Sequence, residues 1–339
     1  MIVAVEMLAA AQVAVISILA VALTWRRIAI GRADRRRELL LDRYRDAVVL
    51  LVGIDDEAPL GLLGLRTSEQ RAAVAELLAE YTGTVRGEAR ARVAAFVTEQ
   101  GYADAAAGDL HAHRAWRRGT AAKTLGDFGI VGAAGDLGDA VRVDRSPQVR
   151  VAAARSLGRI ADRAGASELI DACAAGTVPP GIVAQALLDI GEDAVPWLLG
   201  ALQSPERRVR HVACTVLAQV GVSADADIVD ALQTAAATDC DVAVRVAACE
   251  ALGRVGGHEA ALAVAGATAD GEPAVRRAAC DAAARLAAPE TAAAVRRALE
   301  DRSPEVQRSA ARAAMALGVA EGRSPFLREA QADLAWGWR

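Results

Sequence analysis

The feature that most constrains this chain is a unit that recurs along its second half. The segments DRSPQVRVAAARSLGRI (144–160), SPERRVRHVACTVLAQV (204–220), DCDVAVRVAACEALGRV (239–255), DGEPAVRRAACDAAARL (270–286) and DRSPEVQRSAARAAMAL (301–317) align around Val149, Val209, Val244, Val275 and Val306. The last three of these marker valines are 31 residues apart, and the 60 residues from Val149 to Val209 leave room for one degenerate unit at 178–196. AWRRGTAAKTLGDFG (115–129) ends one period upstream, which makes about seven units. A period of this length describes one small supersecondary element stacked on copies of itself, because no unit can bury its apolar side alone.

Inside each unit the apolar positions fall at the marker, +4, +8 and +11: Val149, Ala153, Leu157 and Ile160, then Val244, Ala248, Leu252 and Val255, then Val275, Ala279, Ala283 and Leu286. That spacing is one stripe of an α-helix. Ser146-Pro147 and Ser303-Pro304 supply a capping hydroxyl and a proline suited to the first helical position. The shorter stretches between units, such as 194–202 and 290–299, supply the second helix of each pair. With only 3% aromatic residues and alanine dominating the apolar set, the core must come from small side chains on closely approaching helices. Gly158, Gly221, Gly253, Gly256 and Gly318 read as helix-end punctuation.

The pattern D-x-x-P-x-V-R-x-x-A-x-x-A-L-G-x-x-G is similar to the HEAT repeat, in the short form also described as phycobilin-lyase-type HEAT-like. The resemblance covers roughly residues 114–320 and implies an all-α protein, an α-solenoid of about seven helical hairpins. It also implies a protein-binding scaffold, without naming the partner. Residues 68–113 are helical but match the repeat poorly and are expected to cap one end; residues 321–339, ending in Trp336-Gly337-Trp338, are expected to cap the other.

An arginine follows the marker position in Arg118, Arg150, Arg210, Arg245 and Arg276, with Gln307 breaking the series, and an aspartate sits five before the marker in Asp144, Asp239, Asp270 and Asp301. Two readings fit. The arginines could form a ligand-binding ladder, or each could bond the aspartate or helix-end carbonyls of an adjoining repeat, which is how HEAT-like families use this pair. The second reading is the favoured one.

Ahead of the repeats, Ile2 to Trp25 is almost uninterrupted apolar sequence, and 24 residues of helix would span roughly 36 Å, enough to cross a bilayer core. Residues 26–45 follow with eight arginines and a charge of +5. With the positive charge after the apolar run, the expectation is a single-pass anchor in the inner (plasma) membrane, N-terminus outside and solenoid in the cytoplasm, rather than a cleaved signal. The domains are then 1–25 (transmembrane helix), 26–67 (basic juxtamembrane helix and connector), 68–113 (cap), 114–320 (solenoid) and 321–339 (tail). Arg26, Arg27, Arg32, Arg35, Arg36 and Arg37 could also contact anionic lipid.

The rest of the chain, residues 46–339, carries −8, which argues against nucleic acid as a partner. The five cysteines are odd in number and lack a C-x-x-C pair; Cys214, Cys249 and Cys280 share one repeat position with Ala154 and Ala311, as small core residues would. No phosphate loop, nucleophile elbow or H-E-x-x-H motif is present. His111 and His113 lack further metal ligands around them, and His258-Glu259 is a single pair. No catalytic, metal or cofactor residue is assigned. The expected function is a membrane-tethered scaffold or regulatory subunit that holds a membrane-associated protein, such as an envelope-assembly glycosyltransferase, on the concave face of the solenoid. The alternatives are a lyase-like cofactor binder, with His113, Trp116, Arg118 and Asp136 as its best polar set, or an anionic-lipid sensor.

Overall fold

A computed structural model describes residues 23–25, 27, 31–32, 34–49, 67–82, 88–160, 163–220, 225–320 and 325–336. It separates into two compact units, 1–102 and 103–339. Among the described residues all regular structure is helical.

In the first unit, α1 (34–49), α2 (Ser68–Thr82) and α3 (Glu88–Glu99) bury Tyr44 and Val48, Val74, Leu77 and Leu78, and Val93, Phe96 and Val97 respectively. Arg37 of α1 donates from Nε to Glu76 of α2 at 2.8 Å. Arg27, Arg32, Arg35 and Arg36 are exposed, and Arg26 lies outside the described residues. The proposed anchor, Ile2 to Trp25, lies outside them as well, apart from its last three positions. Among the described residues no helix is long and apolar enough to cross a membrane.

The second unit begins with α4 (Tyr102–Asp109), whose Ala106 joins the solenoid core together with Leu110. Two sets of helices then alternate along the chain. The motif-bearing set is α5 (Ala115–Phe128), α7 (Pro147–Ile160), α9 (Pro180–Ile190), α11 (Arg207–Val220), α13 (Val242–Val255), α15 (Pro273–Leu286) and α17 (Pro304–Ala316). The connecting set is α6 (Ala134–Val143), α8 (Arg163–Ala175), α10 (Val195–Ala201), α12 (Ala226–Thr238), α14 (His258–Ala267) and α16 (Ala292–Ala298), with α18 (Pro325–Trp336) packed on α17. Each odd helix packs on the next odd helix, so the stack is a two-layer ladder. The marker, +4 and +8 residues are buried, as are their counterparts Val183 and Leu187 in the degenerate repeat of α9.

Small residues set how closely the odd layer packs. A Cβ on Gly158 would stand 2.7 Å from the Cα of Ala186, and one on Gly253 would stand 2.7 Å from the Cβ of Ala282. Gly126 meets Ser156 in the same way, at 2.5 Å. All three glycines occupy the +9 position and face a small residue at +7 of the next odd helix, Ser156, Ala186 or Ala282. Gly158 and Gly253 are therefore close-approach residues inside α7 and α13 rather than the helix-end punctuation expected of them. Gly256 and Gly318 do sit past helix ends with φ of 79° and 67°, a conformation that favours glycine, and Gly221 lies outside the described residues.

The helix starts also differ from expectation. Ser303 occupies the N-cap of α17, but its hydroxyl makes no capping bond. The Asp301 carboxylate instead accepts from the Ser303 backbone N–H at 2.8 Å, which closes the turn ahead of the helix. At the other end of the stack α18 adds Leu327 and Ala330 to the core; the side chains of Trp336 and Trp338 are outside what is described.

Candidate functional site

The recurrent arginines and aspartates meet between repeats. Arg118 holds Asp144 through two bonds of 2.7 and 2.8 Å, Arg210 holds Asp239 at 2.7 and 2.9 Å, Arg245 holds Asp270 at 3.0 and 3.2 Å, and Arg276 holds Asp301 at 2.7 and 2.9 Å. Each pair bridges neighbouring repeats. The second terminal nitrogen reaches back to its own loop, as from Arg245 to the Asp239 carbonyl and from Arg276 to the Asp270 carbonyl, both at 2.9 Å. Each aspartate in turn accepts from a backbone N–H two residues on. The arrangement is a chain of charge-assisted bonds running along the inter-helix loops.

Two rungs differ. Arg150 finds Ala174 where the next aspartate would be, and bonds the carbonyls of Thr177 and Asp144, both at 2.8 Å. Gln307 bonds its own loop, at the Asp301 carbonyl. The pairing shifts protonation. The Arg118 guanidinium holds the Asp144 carboxyl below the usual carboxylate range, and Arg276 does the same for Asp301. At Asp239 and Asp270 burial pulls upward, and the arginine together with a backbone N–H outweighs it, so these carboxyls are also lowered. The ladder side chains are only 7 to 15% exposed, so little of this polar array is open to a ligand.

The outward-facing side chains of the odd helices are at +2, +6 and +10, steps of four that put them on one stripe. That stripe carries eight basic residues, Lys123, Arg155, Arg159, Arg254, Arg277, Arg285, Arg308 and Arg312, against four acidic ones, Asp127, Asp189, Glu250 and Asp281. Asp127 is paired with Lys123 and Arg159, and Asp281 with Arg312 at 3.0 Å and Arg277 at 4.0 Å. Across α11, α13 and α15 the stripe dips into a groove of 710 Å³, lined by Val242, Val246 and Ala274 together with His211, the basic Arg207 and Arg277 and the acidic Asp241 and Glu250. Cys240 opens onto this groove and is the one exposed cysteine of the five.

The other cysteines are buried, and burial pushes the thiols of Cys214, Cys249 and Cys280 up to about 12. Thiols held that high are inert. His113 and Trp116 line a second hollow of 800 Å³ with His111, Asp109 and Arg117, whereas Arg118 is engaged with Asp144 and Asp136 is exposed on α6 away from that hollow. The four do not converge. His258 meets Glu290 at 2.7 Å. Among the described residues no group of three or more histidine, cysteine or carboxylate side chains is placed to hold a metal ion. The groove and the charge of its face were missed by sequence reasoning; the +2, +6, +10 register was available to reveal the charge, whereas most of the groove's lining lies off that register.

Residues 195–269 and 261–337 match the family of HEAT repeats. No curated protein matches the chain. Among solved structures the chain is similar to the complex of CpcE and CpcF of phycocyanin lyase from Nostoc, at 26% identity over 46% of this chain and 99% of that one, with a TM-score of 0.40. Human deoxyhypusine hydroxylase in complex with glycerol is similar at 19% identity, over 84% of this chain and 98% of that one, with a TM-score of 0.32. Kap121p is similar at 12% identity over 83% of this chain and 36% of that one, with a TM-score of 0.52, a likeness of fold.

Proposed function

We propose that the HEAT-repeat solenoid of this chain is a non-catalytic scaffold, tethered to the membrane through Ile2 to Trp25, that holds a protein partner on the exposed stripe of its odd helices. One observation carries the reading. The recurrent polar residues are bonded to one another inside the loops, while the +2, +6 and +10 positions of seven odd helices side by side make up one face on which most side chains are exposed or half-buried. A row of that kind offers many weak contacts along one line, which suits an extended polypeptide better than a small molecule, for which a deep enclosed pocket is the usual site.

The N-terminal segment supports the tether by its length and by the arginines that follow it, an order of charge that orients the solenoid to the cytoplasmic side. A membrane-associated enzyme, of which an envelope-assembly glycosyltransferase is one case, is then the partner in reach. Crosslinking of the full-length protein in its own cells, purification in mild detergent and mass spectrometry test this. A dominant protein partner, crosslinked through α11 to α17, is the expected result. Absence of any specific protein, together with turnover of a small molecule by the purified chain, would refute it.

A further inference from the structure

The chain is acidic overall, yet its two helical layers are not alike. With the five ladder arginines set aside, the odd helices carry eleven basic side chains and five acidic ones. The even helices from α6 to α16, with the short turns Gly191–Ala194 and Pro289–Thr291 that lead into them, carry ten acidic and four basic. The layers therefore have opposite charge, and the exposed stripe of the odd layer is the positive side. Arg254 and Arg285 lie at +10 of neighbouring helices with their side chains exposed. Toward the N-terminal halves of α13 and α15 the groove presents Val242, Val246 and Ala274, an apolar surface that polar contacts alone would leave unfilled, with Arg207 and Arg277 as well as Asp241 and Glu250 in its lining.

We infer that the occupant of this stripe is an acidic, extended protein segment with one apolar side chain, the apolar group seated in the groove over α13 and the carboxylates on Arg254 and Arg285. The inference rests on the scaffold reading and gives it a partner chemistry. Packed helices stand about 10 Å apart and an extended chain advances about 3.3 Å per residue, so one side chain in about every three faces a new helix. A carboxylate at i and i+3 thus meets successive odd helices. Nucleic acid is the poorer fit, since Glu250 and Asp281 stand on the same stripe and would repel a continuous row of phosphates, whereas a peptide can place its charges between them.

Cys240 provides the reporter, because it is the exposed thiol and lines the groove. Full-length protein in detergent is reacted with a maleimide, with Cys240→Ala as the blank. The probe is a synthetic peptide with glutamate at every third position, glycine and serine between, and one central leucine. The expected result is slower labelling of Cys240 with this peptide, no slowing with the lysine counterpart, and weaker protection when serine replaces the leucine. The double variant Arg254→Glu, Arg285→Glu is expected to bind the peptide about tenfold more weakly, the share two exposed ion pairs supply. Unchanged labelling with the glutamate peptide overturns the inference, as does full protection of the double variant. Single-stranded DNA that protects at lower concentration than the peptide overturns it in favour of nucleic acid. A cellular partner crosslinked through α12 or α14, with Cys240 fully reactive in the complex, overturns it while leaving the scaffold reading intact.

Discussion

Replacing Gly158 with alanine separates the close-packed layer from the loose one. A Cβ there meets the Cα and the carbonyl oxygen of Ala186, both at 2.7 Å, and its Cβ at 2.9 Å. These are backbone atoms or fixed to backbone, so no rotamer change gives relief. Restoring ordinary contact near 3.5 Å requires α7 and α9 to part by about 0.8 Å. Overpacking of that kind costs about 1–3 kcal/mol, against roughly 1 kcal/mol gained when alanine replaces glycine in a helix. The net expectation is a loss of up to about 2 kcal/mol. Gly266, exposed in α14 where an added methyl would meet no atom within 4 Å, is the control, and Gly266→Ala should gain up to about 1 kcal/mol. Urea titrations of the full-length variants followed by circular dichroism measure both. Because each repeat contacts only its neighbours, a weakened α7–α9 contact is also expected to broaden or split the transition. If Gly158→Ala proves as stable as Gly266→Ala, the small-residue contacts do not set the spacing of the odd layer.

Three further outcomes are expected. Arg276→Gln strands the Asp301 carboxylate and should cost about 1–3 kcal/mol in urea titration, with Arg276→Gln, Asp301→Asn together costing less than the sum of the two single changes. Asp144, Asp239, Asp270 and Asp301 all have folded carboxyls below their ordinary value, so the stability they add is present above the unfolded pKa of about 3.9 and is lost as pH falls through the lower folded values; acid titration of the wild type should show this loss, and Asp270→Asn should flatten it. Mass spectrometry after maleimide treatment of the folded chain should find Cys240 modified and Cys214, Cys249 and Cys280 untouched until denaturant is added.

The solenoid was legible in the sequence because its cause is periodic. Val244, Ala248 and Leu252 recur at helical spacing, and a like triad recurs one period later, so both the helix and its stacking partner are written in one string. The ladder was half legible. Arg210 and Asp239 could be seen to recur, and their 29-residue separation reports that the contact crosses repeats, but sequence alone cannot show that the same guanidinium also bonds the carbonyls of Ser204 and Pro205. The tight seat of Gly158 was misread because a glycine near the end of a helix has two physical uses, and only the distance to Ala186 tells them apart. Net charge also concealed a feature. The value of −8 for residues 46–339 averages over two layers that the fold places on opposite sides of the core.

That averaging bears on where recognition can lie in a chain of this kind. A residue that recurs from repeat to repeat at +1 or −5 meets similar surroundings each time, and here those surroundings are the adjoining repeat, so the recurring positions are already bonded. Specificity for a partner must then come from positions free to differ between repeats. The +2 position is His211 in α11, Val246 in α13, Arg277 in α15 and Arg308 in α17, one residue type after another along a single line. Four helices thus present an imidazole, an apolar patch and two guanidinium groups in fixed order and direction. A partner segment reading that order would be held in one register and one polarity, which a uniform row of arginines could not impose, since it would accept the same segment slipped by one repeat or reversed. The irregular positions of an otherwise regular array are therefore the ones that give this scaffold a way to choose.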